Sequence, residues 1–175
     1  MNLLLPALLR LFLLFSLCFG ASVTAQEFLD PLVAFKPTLR ALDGQTVEVR
    51  YEIAKGYYLY RDKFRVHAAD PTQGLVPLQL PPGKEKDDDT FGRTEVYYKE
   101  VVFRLPVERS SPGPLDLTLD LQSQGCADAG ICYPPQTQTL GVQLPDPATT
   151  PAAPPLGAPS AGSGDESGQI AELPK

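Results

Sequence analysis

The chain of 175 residues has no tryptophan, one methionine, one histidine and three cysteines. Each scarcity removes a class of function. With His67 the sole imidazole, two cysteines and one histidine at these spacings make a poor zinc set, so neither a metal nor a cofactor is called for. No tryptophan is available to pack on an inter-sheet bridge of the antibody kind. Fifteen basic residues against 21 acidic ones give a net charge of −6. That balance lacks the basic face a nucleic-acid partner requires. Beyond the amino terminus no apolar run reaches the roughly 20 residues that cross a bilayer. No amphipathic helix of useful length is evident either.

What is present begins with an export pattern over residues 1–25. Arg10 precedes the apolar stretch Leu11 to Phe19, and Val23-Thr24-Ala25 supplies a small-x-small cleavage site. The apolar residues from Leu3 to Leu9 leave an uncleaved anchor as the alternative. Cys18 follows Leu17 rather than a small residue, so it does not fit a lipidation site and should leave with the signal. The expected compartment is an oxidising one outside the cytosol. Residues 26–144 hold nearly all the aromatic and β-branched residues. Residues 145–175 are rich in Pro, Ala, Gly and Ser and read as a disordered linker or tail.

The body reads as strands. Thr46 to Ile53 alternates polar and apolar residues, and Leu115, Leu117, Leu119 and Leu121 alternate with Asp116, Thr118, Asp120 and Gln122. Gln136 to Leu144 follows as a returning strand, with Leu140, Val142 and Leu144 on one face. Glu95 to Leu105, Tyr57 to Val66 and Leu75 to Leu80 are further candidates. Turn residues separate them at Asp43-Gly44, Lys55-Gly56, Asp70-Pro71, Pro81-Pro82-Gly83 and Pro112-Gly113-Pro114. Short strands with regular turns point to an all-β, immunoglobulin-like antiparallel β-sandwich.

Two cysteines remain after the signal, Cys126 and Cys132, at a tip between the last two strands. Five intervening residues allow the Cα separation a disulfide ordinarily takes, about 5.5–6 Å. So short a loop would stabilise the fold by only about 2–2.5 kcal/mol. A weak staple flanked by Gly125 and Gly130 suits a bond that opens and closes. A structural bridge is the other reading, since exported domains use disulfides in that way. Asp128, between the cysteines, would disfavour a neighbouring thiolate, or would serve only as a turn residue. Tyr57, Tyr58 and Tyr60 crowd one strand, so some should face outwards as interface aromatics. Lys84 to Gly92 reads as a charged loop carrying Phe91. That ring is either a lid over the cysteines or an anchor in the core.

At this point the residues resemble a family. Gln124 to Pro135, reading QGCADAGICYPP, is similar to the active-site segment of the amino-terminal periplasmic domain of the thiol:disulfide interchange protein DsbD. Gly56-Tyr57-Tyr58-Leu59-Tyr60-Arg61 resembles its aromatic strand, and Phe28-Leu29-Asp30-Pro31 with Ala34-Phe35 its start. The resemblance implies an immunoglobulin-like fold whose cysteine pair cycles between disulfide and dithiol. It implies thioredoxin-like periplasmic partners, namely disulfide isomerases and the reductase of cytochrome c maturation. It also implies a membrane electron-donor domain in the same or another chain. By position, Cys132 matches the thiol that forms mixed disulfides and Cys126 the one that resolves them. Asp88 and Asp89 match acids of the family's cap loop, and Tyr58 and Tyr60 its site aromatics. The sequence departs from the family in the cap, where Thr90 stands at the usual phenylalanine position and Phe91 beside it. It also departs in length, which suggests a truncated or split member or a separate shuttle. The implied activity is that of a protein-disulfide reductase component. A non-catalytic binding module with a structural disulfide is the alternative.

Overall fold

Period-two alternation produces the strands of the computed structural model, which describes residues 27–109 and 111–153. The expected signal, with Cys18, and the tail beyond Ala153 lie outside the described residues. Residues 27–30 have no regular structure. The unit that begins at Pro31 opens with a single helical turn, α1 (Pro31–Ala34), that runs into β1 (Phe35–Ala41). β1 pairs antiparallel with β2 (Thr46–Ile53).

The strand β9 carries the clearest pattern. It spans Leu115–Ser123, burying Leu117, Leu119 and Leu121 while Asp116 and Thr118 face out. Its neighbours are β11 (Gln136–Leu144), with Leu119 opposite Leu140, and β4 (Arg65–Ala68). A second sheet has the order β1-β2-β8-β5, where β8 is Glu100–Glu108 and β5 is Gly74–Leu75. Its buried residues include Val47, Val49, Tyr51 and Ile53 from β2, and Val101, Phe103, Leu105 and Val107 from β8. Each large aliphatic side chain buried in this way contributes about 1.5–3 kcal/mol of transfer free energy. Phe64 ties the core together. Its ring sits edge-on to Tyr51 at 5.1 Å, and to Phe103 and Tyr97 at 5.9 Å each.

The third sheet carries the cysteines. It runs β10-β3-β7-β6, with β10 at Gly125–Ala127, β3 at Tyr57–Tyr60, β7 at Gly92–Tyr97 and β6 at Lys84–Asp88. All pairings are antiparallel, as an immunoglobulin-like sandwich requires.

Several boundaries differ from expectation. The run Glu95 to Leu105 is two strands, because Lys99 adopts a left-handed φ of 65° and turns the chain from one sheet into the next. Tyr57 to Val66 is interrupted by a 3₁₀ turn over Arg61–Lys63. Of Leu75 to Leu80 only Leu75 is in a strand, since Pro77 has no N–H for a ladder. The segment Lys84 to Gly92 is a hairpin rather than a loop. β6 is an edge strand with no apolar face of its own, and charged residues are at home there.

Candidate active site

The cysteines are set opposite one another by a short antiparallel bridge. Ala127 N donates to Ile131 O at 2.7 Å, and Tyr133 N donates to Gly125 O at 3.0 Å. Those flanking bonds make Cys126 and Cys132 a directly facing pair without hydrogen bonds of its own, the closest kind of cross-strand neighbour. The disulfide joins them with a Cα separation of 4.0 Å. The expected 5.5–6 Å was too long because a directly facing bridge of this kind leaves no mark in residue spacing. Gly130, with φ of 95°, closes the loop. Gly125 is required for a different reason: a Cβ there would collide with the Tyr58 carbonyl oxygen and the Phe35 ring.

The two sulfurs are inequivalent. Cys126 is fully buried, whereas Cys132 is exposed. Tyr60 Oη lies 3.1 Å from Cys126 Sγ and 3.9 Å from Cys132 Sγ. Tyr58 and Tyr60 both donate to Asp88 Oδ2, at 2.7 and 2.8 Å. The other oxygen, Asp88 Oδ1, accepts the Thr90 and Phe91 amides at 2.9 and 3.2 Å, so the carboxylate builds the β6–β7 turn as well. Burial pushes the Asp88 carboxyl up, but these four donors outweigh it and hold it below the usual range. Burial pushes the Tyr60 hydroxyl up to about 12, with the Tyr58 hydrogen bond working against that rise and the Asp88 charge adding to it. Tyr58 is pushed up as well, by burial first and then by Tyr60 and Asp88. Both phenols are therefore donors at neutral pH.

Phe91 completes the cover. Its ring stands edge-on to Tyr60 at 4.9 Å, with Lys63 Nζ 4.4 Å from its centroid. It is 42 % exposed, so it is not an anchor in the core. Phe91, rather than Thr90, is the side chain laid on Tyr60.

The structure thus brings Cys126, Cys132, Tyr58, Tyr60, Asp88 and Phe91 together. Asp89 and Asp128 are exposed. Among the described residues neither places its carboxylate in hydrogen-bond reach of the sulfurs, and Asp128 engages through its amide, which donates to Gly56 O at 2.8 Å. The expectation of outward tyrosines on β3 is corrected. Tyr57, Tyr58 and Tyr60 are all buried, because β3 is central in its sheet and carries the cap hairpin on one face and Phe35 and Tyr133 on the other. Sequence reasoning missed Tyr98, 5.8 Å from the Tyr58 ring, and Lys86, 4.8 Å above that ring. The composition of the Tyr97-Tyr98 and Lys84-Glu85-Lys86 segments was the available signal.

Fold and site together define an immunoglobulin-like domain built around a short-loop disulfide with one sulfur open to a partner. The chain belongs to the family described as the N-terminal domain of the thiol:disulfide interchange protein DsbD, which it matches over residues 25–144. It is 46% identical to the DsbD of Ralstonia nicotianae over 146 residues, covering 82% of this chain and 23% of that protein. It is 40% identical to DsbD 1 of Pseudomonas aeruginosa over 134 residues, 77% of this chain and 22% of that one. The chain therefore spans under a quarter of the length of these relatives. Among solved structures it is similar to the reduced DsbD N-terminal domain of Neisseria meningitidis, with a TM-score of 0.60 at 36% identity over 67% of this chain and 91% of that one. It is also similar to a chain in the complex between the DsbD and PilB N-terminal domains of the same organism, with a TM-score of 0.56 at 36% identity over 67% of this chain and 88% of that one.

Proposed function

We propose that this chain is a periplasmic thiol–disulfide exchange domain that cycles Cys126 and Cys132 between disulfide and dithiol and works as a protein-disulfide reductase component. The observation that carries the reading is the asymmetry of the bridge: Cys132 is exposed, while Cys126 is buried against the Tyr60 hydroxyl. A donor thiolate attacks Cys132 Sγ, the Cys126–Cys132 bond breaks, and the electron pair leaves on Cys126 Sγ. The Tyr60 hydroxyl is placed to turn from Asp88 towards that developing charge. The donor's second thiolate then attacks its own sulfur in the mixed disulfide and releases Cys132, so two electrons have entered the domain. In the delivering direction the Cys132 thiolate attacks an acceptor disulfide. Cys126 then attacks Cys132 Sγ, which frees the acceptor as a dithiol and restores the bridge.

The partners are thioredoxin-like proteins of the periplasm, disulfide isomerases and the reductase of cytochrome c maturation among them. Electrons come from a membrane donor domain in the same or another chain. Family membership supports this reading, as does the complex that a similar domain forms with the N-terminal domain of PilB. An export signal over residues 1–25 accounts for the compartment.

The roles of the two sulfurs are tested by trapping. Cys126→Ser should accumulate mixed disulfides with a thioredoxin-like partner on non-reducing gels, because no resolving thiol is left. Cys132→Ser should trap none. Equal trapping by both variants would reject the assignment.

A further inference from the structure

Beside the disulfide loop lies a cleft of about 630 Å³ that the exchange chemistry does not use. Its floor is apolar, built from Ile53, Tyr57 and Tyr98, and Lys55, Lys84 and Lys99 stand on its rim. All three lysines are exposed, and none makes an ion pair with another described residue. Three cations gathered over an apolar floor are unexpected in a chain of net charge −6. Lys84 Nζ is 5.7 Å from the centroid of the Tyr98 ring, which holds the cation over the cleft. Lys99 has a φ of 65°, a region where glycine or asparagine is the ordinary occupant. Its carbonyl accepts Ile53 N at 2.7 Å, so the backbone there is pinned. Unusual backbone kept at a particular side chain points to a use for that side chain. The opposing charges nearby are Asp128 and Asp88, which, after burial, push the Tyr98 hydroxyl up.

The cleft adjoins the reacting bond. Tyr57 in its floor stacks on Tyr133, next in sequence to Cys132, with ring centroids 6.3 Å apart. Gly56, also in its lining, accepts the Asp128 amide from within the disulfide loop. A protein docked on the exposed sulfur would lie across it. We infer that this cleft seats a short, carboxylate-bearing apolar segment of the thioredoxin-like partner, which aligns the partner's thiol on Cys132. The inference rests on the exchange reading above. The mixed lining selects the occupant: the floor takes an apolar side chain and the rim takes flanking carboxylates. A membrane surface would call for a broad basic face, which a chain of this charge does not offer.

The test uses the full chain with two peptides, acetyl-Glu-Leu-Glu-Phe-Glu-amide and its glutamine counterpart, followed by amide chemical shifts. The acidic peptide should shift Ile53, Lys55, Gly56 and Lys99. Its Kd should weaken by about tenfold in the triple variant Lys55→Glu, Lys84→Glu, Lys99→Glu, and likewise in high salt. Equal binding of the two peptides, or an unchanged Kd in the triple variant, would overturn the inference. Shifts of the same amides caused by deleting residues 154–175 would overturn it too, since the chain itself would then be the occupant. A second arm measures reduction of the disulfide by a thioredoxin engineered with glutamates beside its cysteine pair, with dithiothreitol as control. The triple variant should slow the thioredoxin about tenfold and leave dithiothreitol unchanged. Equal thioredoxin rates on wild type and variant would reject the cleft and leave the exchange reading standing. No reduction of wild type by the thioredoxin would reject the exchange reading, and the peptide titration would still decide the cleft.

Discussion

At the scale of single residues, Tyr60 is the pivot, because one hydroxyl faces both a carboxylate and a sulfur. Its proton is committed to Asp88 while the disulfide is closed, since a disulfide sulfur carries no charge to attract it. When Cys126 leaves as a thiolate the competition changes, and a hydrogen bond to a charged group outweighs a neutral one. Tyr60→Phe should therefore slow reduction of the disulfide by a small thiol about fivefold, the rate equivalent of about 1 kcal/mol of lost stabilisation. Stopped-flow reduction by dithiothreitol measures it. A faster rate would mean that Tyr60 serves only to prop the cap. Phe91 argues the opposite way. Its ring covers Tyr60 from the solvent side and is 42 % exposed, so little core is lost without it. Phe91→Ala should raise the dithiothreitol rate severalfold and cost far less than the roughly 3–5 kcal/mol of a core phenylalanine. Urea unfolding of the same variant supplies the second number. An unchanged rate with a large loss of stability would remove Phe91 from the cap.

At the scale of elements, the β6–β7 hairpin pairs with β3 along the β7 ladder, and the carboxylate of Asp88 ties its turn to the β3 tyrosines. Four hydrogen bonds converge on its carboxylate, two from the tyrosines and two from the turn amides. Hydrogen bonds to a buried charge justify a loss of about 2 kcal/mol for Asp88→Asn at neutral pH. The sign of the pH dependence follows from the lowered folded-state pKa. The stabilisation is fully present above the unfolded value, about 3.9, and fades as pH falls through the lower folded value. Denaturant unfolding at pH 7 and pH 3 should show the gap between wild type and Asp88→Asn closing at the acid end. A gap independent of pH would show that shape, rather than charge, holds the hairpin. The elements also show what a sequence reveals. Strands with one buried face, such as Thr46–Ile53 and Leu115–Ser123, were legible because burial writes itself as alternation. β3 was misread as partly outward-facing because a central strand covered on both faces has no alternation to read. The break at Lys99 was invisible because it depends on a backbone angle at a residue type that gives no warning. At the site, the cysteine pair and Asp88 could be placed by resemblance. Resemblance also gave the two sulfurs different roles, but the physical basis of the difference was not legible, since the burial of Cys126 arises from the packing of Tyr60 and the cap around it.

At the scale of the whole molecule, the question is where the body ends. Composition put the boundary at Leu144, yet the chain stays engaged as far as Ala153. Ala153 N donates to Asp43 Oδ2 at 2.6 Å, and Asp43 Oδ1 accepts Gln45 N at 2.7 Å. Arg109 gathers three carbonyls, those of Gly44 at 2.7 Å, Pro145 at 3.0 Å and Gly113. Pro147 lies so close to Gly44 that a Cβ on that glycine would not fit. The segment after β11 is thus strapped to the β1–β2 turn, at the end of β2 away from the disulfide. Its Pro and Ala content looks like that of the residues that follow, so composition alone had no means of dividing them. Two truncations test the strap. Ending the chain after Ala153 should leave the melting temperature unchanged, because residues 154–175 offer little apolar surface to bury. Ending it after Leu144 removes the Ala153–Asp43 bond, one Arg109 acceptor and the Pro147 contact. A loss of about 1–2 kcal/mol is expected from these, and each kcal/mol lowers the midpoint of a domain this size by about 4 °C or more. Reduction of the disulfide should proceed at the same rate in both, since the strap sits at the far end of the sandwich. Equal melting temperatures would show that the strap adds nothing to the fold. A slower exchange rate in the shorter chain would mean that the strap and the disulfide are coupled through β2, the strand that runs between them.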